Sequence, residues 1–185
     1  LTYRDKFKDR HDLELNLVGE YIREFSKFFT MTGFGNDPKR PNTMASIIAA
    51  NASNQLFHTV GGSKGESGLL SGLFMARYTL DGKYTLSGSF RRDGSSKLPE
   101  DNRWRNFFSV GGTWDMTKEN FMTKQKFINT LRLKANYGSA GNANNFPGGF
   151  YPYQATYTGG AYQGLNTIIA SYPGNPSLVW ETTYT

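Results

Sequence analysis

The stretch that decides the fold is residues 83–93, Lys-Tyr-Thr-Leu-Ser-Gly-Ser-Phe-Arg-Arg-Asp. Apolar or small residues alternate in it with polar ones, so that Tyr84, Leu86, Gly88 and Phe90 oppose Thr85, Ser87, Ser89 and Arg91. Because successive side chains of a strand point to opposite faces, this pattern predicts a strand with one apolar and one polar face. Its length of about ten residues exceeds the ~5–6 residues of a typical soluble strand.

The same alternation recurs on both sides of this stretch. It is clean in residues 11–21, 107–116 and 129–137, less clean in 68–80, and begins again at Leu178. Repeated alternating segments of about ten residues are typical of transmembrane β-barrels, and aromatic residues at the ends of the apolar faces suit the interfacial girdles. We therefore predict an all-β fold, an antiparallel transmembrane β-barrel segment of about six strands from a larger barrel.

Composition excludes several classes of protein. The sequence has no cysteine, which rules out disulfides, thiolate nucleophiles and cysteine zinc sites. Its net charge of +6 is mild and scattered, whereas nucleic-acid binders concentrate basic residues on one face, so no nucleic-acid partner is expected. No apolar run approaches the ~20 residues of a membrane helix. The open alternative from the pattern is a soluble β-sandwich with one wet face per sheet.

The connections alternate in length. Asp81-Gly82 reads as a tight two-residue hairpin turn, and residues 117–128 contain one plausible helical turn. The stretches 26–67, 94–106 and 138–177 are longer, and 43–56 is predicted to hold a short helix. Since bacterial barrels have short periplasmic turns and long external loops, we place Asp81-Gly82 and 117–128 on the periplasmic side and the three long stretches outside.

Seven short strings then point to a family by their order. They are Arg-Arg-Asp-Gly-Ser-Ser (91–96), Asn-Arg-Trp (102–104), Phe-Phe-Ser-Val (107–110), Gly-Thr-Trp (112–114), Glu-Asn-Phe (119–121), Ile-Asn-Thr-Leu-Arg-Leu-Lys-Ala-Asn-Tyr-Gly (128–138) and Asn-Pro-Ser-Leu-Val-Trp-Glu (175–181). Together, over about residues 68–185, they resemble the middle barrel region of SusC/RagA-type TonB-dependent transporters. The departures are Phe108, where that family usually has proline, and Leu98-Pro99, where an aromatic residue is common.

The resemblance implies a parent protein much larger than this chain. Such transporters have barrels of about 22 strands around an N-terminal plug. They lie in the bacterial outer membrane, are energised by TonB, and import oligosaccharides or peptides together with a SusD-like surface lipoprotein. Residues 1–185 would then be a partial barrel domain that lacks the plug, the TonB box and the remaining strands. The TonB complex would act through that missing N-terminal region, and outer-membrane lipid would surround the barrel.

Candidate binding residues lie in the external stretches and on the polar wall. Aromatic rings beside Gly and Asn suit a glycan or peptide substrate, and the candidates are Tyr151, Tyr153, Tyr157, Tyr162 and Trp104. The basic wall residues expected to face the lumen or a plug are Arg77, Arg91, Arg132 and Lys134. No catalytic residue, metal site or cofactor is predicted, since His11 and His58 stand alone and loop carboxylates are common. The competing functions are a secreted all-β carbohydrate-binding module and a passive porin.

Overall fold

A computed structural model describes residues 1–40, 43–122, 124–125, 127–143 and 146–185. Among these residues the chain forms nine β-strands and three single turns of 3-10 helix, without an α-helix. The strands are β1 Thr2–Phe7, β2 His11–Thr32, β3 Thr59–Leu80, β4 Tyr84–Ser95, β5 Trp104–Asp115, β6 Arg132–Asn142, β7 Thr156–Tyr162, β8 Leu165–Tyr172 and β9 Glu181–Tyr184. The predicted all-β class is confirmed. No helix among the described residues is long and apolar enough to cross a membrane.

Seven strands form one sheet whose order follows the chain. Among the described residues this order is β1-β2-β3-β4-β5-β6-β9, while β7 and β8 form a separate two-stranded sheet. The registers run antiparallel between β1 and β2, from β3 through β6, between β6 and β9, and within the β7–β8 pair. The six predicted strands correspond to β2, β3, β4, β5, β6 and β9, so the predicted antiparallel wall is confirmed.

The chain divides into two compact units, the first of residues 1–23 and 67–185 and the second of residues 24–66. In the second unit Asn36 bridges Ile47 and a 3-10 turn spans Met44–Ser46. The helix predicted for 43–56 is wrong beyond that turn. Asn51 accepts hydrogen bonds from the backbone N–H groups of Ser53 and Asn54, both at 2.9 Å. Side chains that bind the nearby backbone in this way compete with helical hydrogen bonding.

The stretch 26–67 is not the long loop that the sequence predicted. β2 continues to Thr32 and β3 begins at Thr59, which leaves a connection about three-fifths as long. The alternation fails in these strand ends because Phe28 and Phe29 are adjacent apolar residues and because glycine replaces side chains at residues 61–62. β1 was also not predicted, since its six residues include three charged ones.

The stretch 138–177 also contains more structure than predicted. β6 extends to Asn142, and β7 and β8 form a hairpin across a turn at Gln163-Gly164. Both turn residues have positive φ, 49° and 80°, as tight hairpin turns require. The last strand starts at Glu181 instead of Leu178, because residues 178–180 leave the sheet and place Trp180 in a small core.

Little of the apolar surface is buried within the chain. The buried apolar residues of the described part are Leu98, Phe107, Ala143 and Trp180, at the end of the first unit that carries the β4–β5 connection. The alternating apolar face of β4, β5 and β6 is open instead, with Leu86 59% and Leu133 60% exposed. An apolar sheet face of this kind needs cover from outside the chain, and lipid supplies it for the wall of a transmembrane barrel.

Candidate functional site

Two similar turns lie at one end of the sheet and are tied together. Lys8-Asp9 and Asp81-Gly82 all have positive φ between 51° and 63°, and the N–H of Lys83 donates to the Leu80 carbonyl at 2.9 Å. The predicted hairpin turn lies at Asp81-Gly82, but its loop has three residues, 81–83, instead of the predicted two, because Leu80 pairs with Tyr84. The Arg10 guanidinium donates to both Asp81 oxygens, at 2.6 and 2.7 Å. These bonds hold the pKa of Asp81 below its ordinary value.

Glu119 lies in the connection between β5 and β6 and joins that connection to the same turns. Its carboxylate accepts hydrogen bonds from the Tyr84 hydroxyl at 2.5 Å, the Trp114 indole N–H at 3.2 Å and the Lys83 ammonium at 3.2 Å. The helical turn expected in 117–128 is a 3-10 turn at Met116–Lys118, and Lys118 donates to the Gly82 carbonyl at 2.7 Å. The predicted grouping of both short connections at one end is therefore confirmed.

We expect the Glu119 network to weaken in acid. The hydrogen bonds from Tyr84 and Trp114 lower the pKa of Glu119 below its ordinary 4.5, so the native state binds fewer protons than the unfolded one there. Its stabilisation is present above that ordinary value and is lost as pH falls through the lowered pKa. Glu119→Gln in the detergent-solubilised parent should lower the melting temperature at pH 7, and the deficit should be smaller at a pH below the lowered pKa of Glu119. An equal deficit at both pH values would contradict this.

A charged patch lies on the polar face of the sheet near these turns. It consists of Arg4, Asp12, Arg77, Asp115, Arg132 and Lys134, which line one concave surface. The register creates it, because Asp115 faces Arg132 directly across β5 and β6 and Thr113 faces Lys134. Two ion pairs hold the patch, Arg4 with Asp12 and Arg132 with Asp115, each with an N–O distance of 3.1 Å.

Two cations of the charged patch have no direct partner. Among the described residues, the side chains of Arg77 and Lys134 make no hydrogen bond or ion pair, although Arg77 is near enough to act on the charge of Asp12. Within the described part of the chain, one oxygen of the buried Asp115 carboxylate also has no hydrogen-bond donor. Buried polar atoms rarely go unpaired. The patch is therefore equipped to bind a polar partner that carries negative charge and a hydrogen-bond donor.

Arg91 lies elsewhere on the polar face and forms ion pairs with two carboxylates. Its Nε donates to both oxygens of Asp93 at 2.6 and 2.8 Å, and its Nη2 donates to Ser71 at 3.0 Å and Glu20 at 3.1 Å. Of the four predicted wall residues, the structure thus brings Arg77, Arg132 and Lys134 together and places Arg91 in a second cluster. All four lie on the polar face, as their alternation predicted; their role there remains a prediction.

The predicted aromatic candidates are not one cluster. Tyr151 is exposed in the loop before β7, and Tyr153 is partly buried beside it. Tyr157 and Tyr162 are both on β7, 66% and 69% exposed, but they are five positions apart and so point to opposite faces of the hairpin. A single flat ligand cannot stack on both from one side.

The sequence predicted that Trp104 lies in a loop, but the structure shows that it is the first residue of β5. Its ring covers Gly94, where a side chain would clash with the indole, and the Arg92 guanidinium lies 5.4 Å from the ring centroid. Among the described residues no ring contact joins Trp104 to the candidate tyrosines. Its intramolecular contacts favour a role in fixing the strand end, and substrate binding by Trp104 remains a prediction.

Sequence analysis did not select the acidic residues of the charged patch or those that pair with Arg91 as site residues. Asp12 and Arg4 are adjacent because β1 pairs with β2, and the short, charged β1 gave no strand signal. Glu20 could have been found, because it has the same parity as the predicted polar face of residues 11–21. Glu119 could not, since its partners Tyr84 and Lys83 are some 35 positions away and meet it only through the sheet.

Comparison with known proteins relates this arrangement to one group. No protein-family model matches the chain. It is 37% identical over 106 residues to the TonB-dependent receptor P39 of Formosa agariphila, which covers 57% of this chain and 10% of that protein. It is 30% identical over 121 residues to the TonB-dependent receptor SusC of Bacteroides thetaiotaomicron, which covers 58% of this chain and 11% of SusC.

Solved structures extend the similarity to nearly the whole chain. A structure of the RagAB peptide transporter matches with a TM-score of 0.80 and 27% identity, over 99% of this chain and 20% of that one. The importer in its closed-closed state matches with a TM-score of 0.81, over 98% and 19%. The chain thus spans about a tenth to a fifth of these relatives' lengths. The predicted resemblance, the outer-membrane location and the non-enzymatic class, which agrees with relatives named as receptors and transporters, are confirmed.

Proposed function

Because the chain is similar along nearly its full length to a SusC/RagA-type transporter barrel, we propose that it supplies wall and external loops to a TonB-dependent outer-membrane importer. Residues 1–185 are then one part of the barrel domain of a longer protein, with its plug and TonB box in other parts of that protein. The similarity over 98–99% of the chain carries this proposal. The polar and apolar faces support it, because an importer wall needs lipid on one side and a wet interior on the other.

The cargo in this proposal is an oligosaccharide or a peptide, captured together with a SusD-like lipoprotein at the external end. The relatives differ on this point, since one solved structure is of a peptide transporter and SusC is named as a receptor. The charged patch supports a contact inside the barrel, because Arg77 and Lys134 leave positive charge unpaired on the polar face. A plug segment or a passing substrate with carboxylates would pair with them.

Energy dependence separates the importer from a passive porin. We expect cells that lack the parent gene to lose uptake of their oligosaccharide or peptide nutrient and to regain it with the intact gene. A protonophore should abolish the regained uptake, since TonB draws on the energised inner membrane. Radiolabelled maltoheptaose, xylohexaose and a tryptic casein digest are suitable probes. Uptake that persists with the protonophore would favour the porin and contradict this proposal.

Reversing both unpaired charges tests the interior role of the charged patch. Arg77→Glu with Lys134→Glu should reduce uptake about tenfold, equivalent to about 1.4 kcal/mol, because two attractive contacts become repulsive. The protein should still assemble, since neither side chain supports an ion pair within the described residues. Arg92→Glu is the matched control, because Arg92 lies on the opposite face of β4. Equal uptake by the double variant and the control would contradict a role for the patch.

A further inference from the structure

A second concavity on the polar face is separate from the charged patch. We name it the Arg91 pocket, and its principal lining residues are Leu73, Ser89, Arg91, Asp93, Phe107 and Ser139. They come from four neighbouring strands, β3 to β6, and lie nearer the β4–β5 connection than the turns. All belong to the first unit of the chain. Neither the predicted tyrosines nor Trp104 line it.

The floor of the Arg91 pocket borders the buried apolar cluster of the first unit. Phe107 is 5% exposed and meets Trp180 edge to face, with ring centroids 5.5 Å apart. Trp180 is fixed in turn by its indole N–H, which donates to the Arg103 carbonyl at 3.0 Å. Gly141 lies against the Phe107 ring so closely that any side chain there would overlap it. This apolar floor is therefore built by the fold and exists before any ligand binds.

The rim of the pocket is polar, and its one arginine is paired with two carboxylates. Asp93 and Glu20 both pair with Arg91, so the guanidinium offers no unpaired positive charge. The hydroxyls of Ser89 and Ser109 lie 2.7 Å apart, and only one of them can donate to the other. One hydroxyl hydrogen of that pair is consequently free for a ligand, as are acceptor lone pairs on both oxygens.

We propose that the Arg91 pocket is a sugar-binding subsite on the transport path, which rests on the importer function proposed above. A sugar ring has an apolar C–H face that suits the partly exposed Leu69 and Leu73, and hydroxyls that can both donate and accept as the serine rim requires. The paired guanidinium and the surplus carboxylate disfavour an anionic ligand. A peptide carboxylate would lose hydration here without an unpaired positive charge to replace it, whereas the neutral hydroxyls of a sugar carry no such cost.

Filling the pocket tests the proposal in the full-length parent. Ser89→Phe places a ring in the cavity, whereas Ser87→Phe makes the same change two residues away on the same face, outside the lining. Binding of neutral maltoheptaose, xylohexaose and cellohexaose is measured by calorimetry in detergent. We expect at least one of these sugars to bind, an about tenfold weaker affinity for Ser89→Phe, and a change of under about twofold for Ser87→Phe.

A gentler variant covers the case in which Ser89→Phe does not assemble. Ser89→Ala with Ser109→Ala removes both rim hydroxyls, adds no bulk, and should weaken sugar binding about fivefold. Absence of binding by all three sugars, or unchanged affinity in the alanine variant, overturns the subsite. Protonophore-sensitive uptake of the casein digest together with either result would leave the importer standing and remove only its sugar subsite.

Discussion

Phe107→Ala is expected to destabilise the loop end of the barrel wall by about 3–5 kcal/mol. Phe107 is buried, whereas most large apolar side chains of the sheet are exposed. It supplies the ring that Trp180 meets edge to face, so its removal leaves a cavity against Trp180 and the fully buried Leu98. The free energy of unfolding of the parent, refolded into lipid vesicles and titrated with guanidinium, measures the loss.

The adjacent residue provides a matched control. Phe108→Ala removes the same ring from the opposite face of β5, where it is 44% exposed and touches Tyr137 at 6.1 Å between centroids. In lipid that ring gains little from burial by protein, so the loss should be near 1 kcal/mol. Limited proteolysis should also cut the segment Glu100–Asn102 faster in Phe107→Ala alone. Equal losses for the two variants would show that Phe107 and its neighbours are not a core.

The strands with clean alternation were predictable for a physical reason. β4, β5 and β6 have one face in a polar and one in an apolar environment along their whole length, so each position in the sequence reports its face. The turn at Asp81-Gly82 marked where the chain reverses but not the register, because the predicted two-residue turn would set Arg77 opposite Leu86, whereas the three-residue loop sets it opposite Ser87. The polar placement of Arg77, Arg132 and Lys134 followed from the alternation along each strand alone.

What the sequence could not predict lies where both faces have the same environment or where contacts are not local. The ends of β2 and β3 carry exposed Phe28 and Val60 and lose the period of two, so the strands were drawn too short. The hairpin β7–β8 exposes Tyr157 and Tyr162 on opposite faces, which also removes alternation. Arg91 and Glu20 pair although they are 71 positions apart in the sequence. The alternation within each strand shows which face a residue is on, but not which residues of other strands it meets.

Leu86→Arg is expected to prevent assembly of the parent or to destabilise it by about 2–4 kcal/mol. Leu86 is 59% exposed in the middle of β4, on the face that bears Tyr84 and Phe90, and Gly112 opposite it leaves the site open. If that face contacts lipid, a guanidinium placed there must leave water or distort the bilayer around it. Heat-modifiable migration on gels and guanidinium titration in vesicles measure assembly and stability.

Ser87→Arg, one residue along the same strand, decides between the two faces. Ser87 faces the polar side, where its hydroxyl makes a single contact to the Gly111 carbonyl at 3.3 Å. Water in the barrel interior would solvate the new charge there, and repulsion from Arg77 across the strand pair should cost under about 1 kcal/mol. A soluble sandwich would also make Leu86→Arg costly, since it buries its apolar face against a second sheet, so the comparison with Ser87→Arg decides between the two faces of a barrel wall. The sign of this one difference therefore reports which side of the wall the membrane occupies.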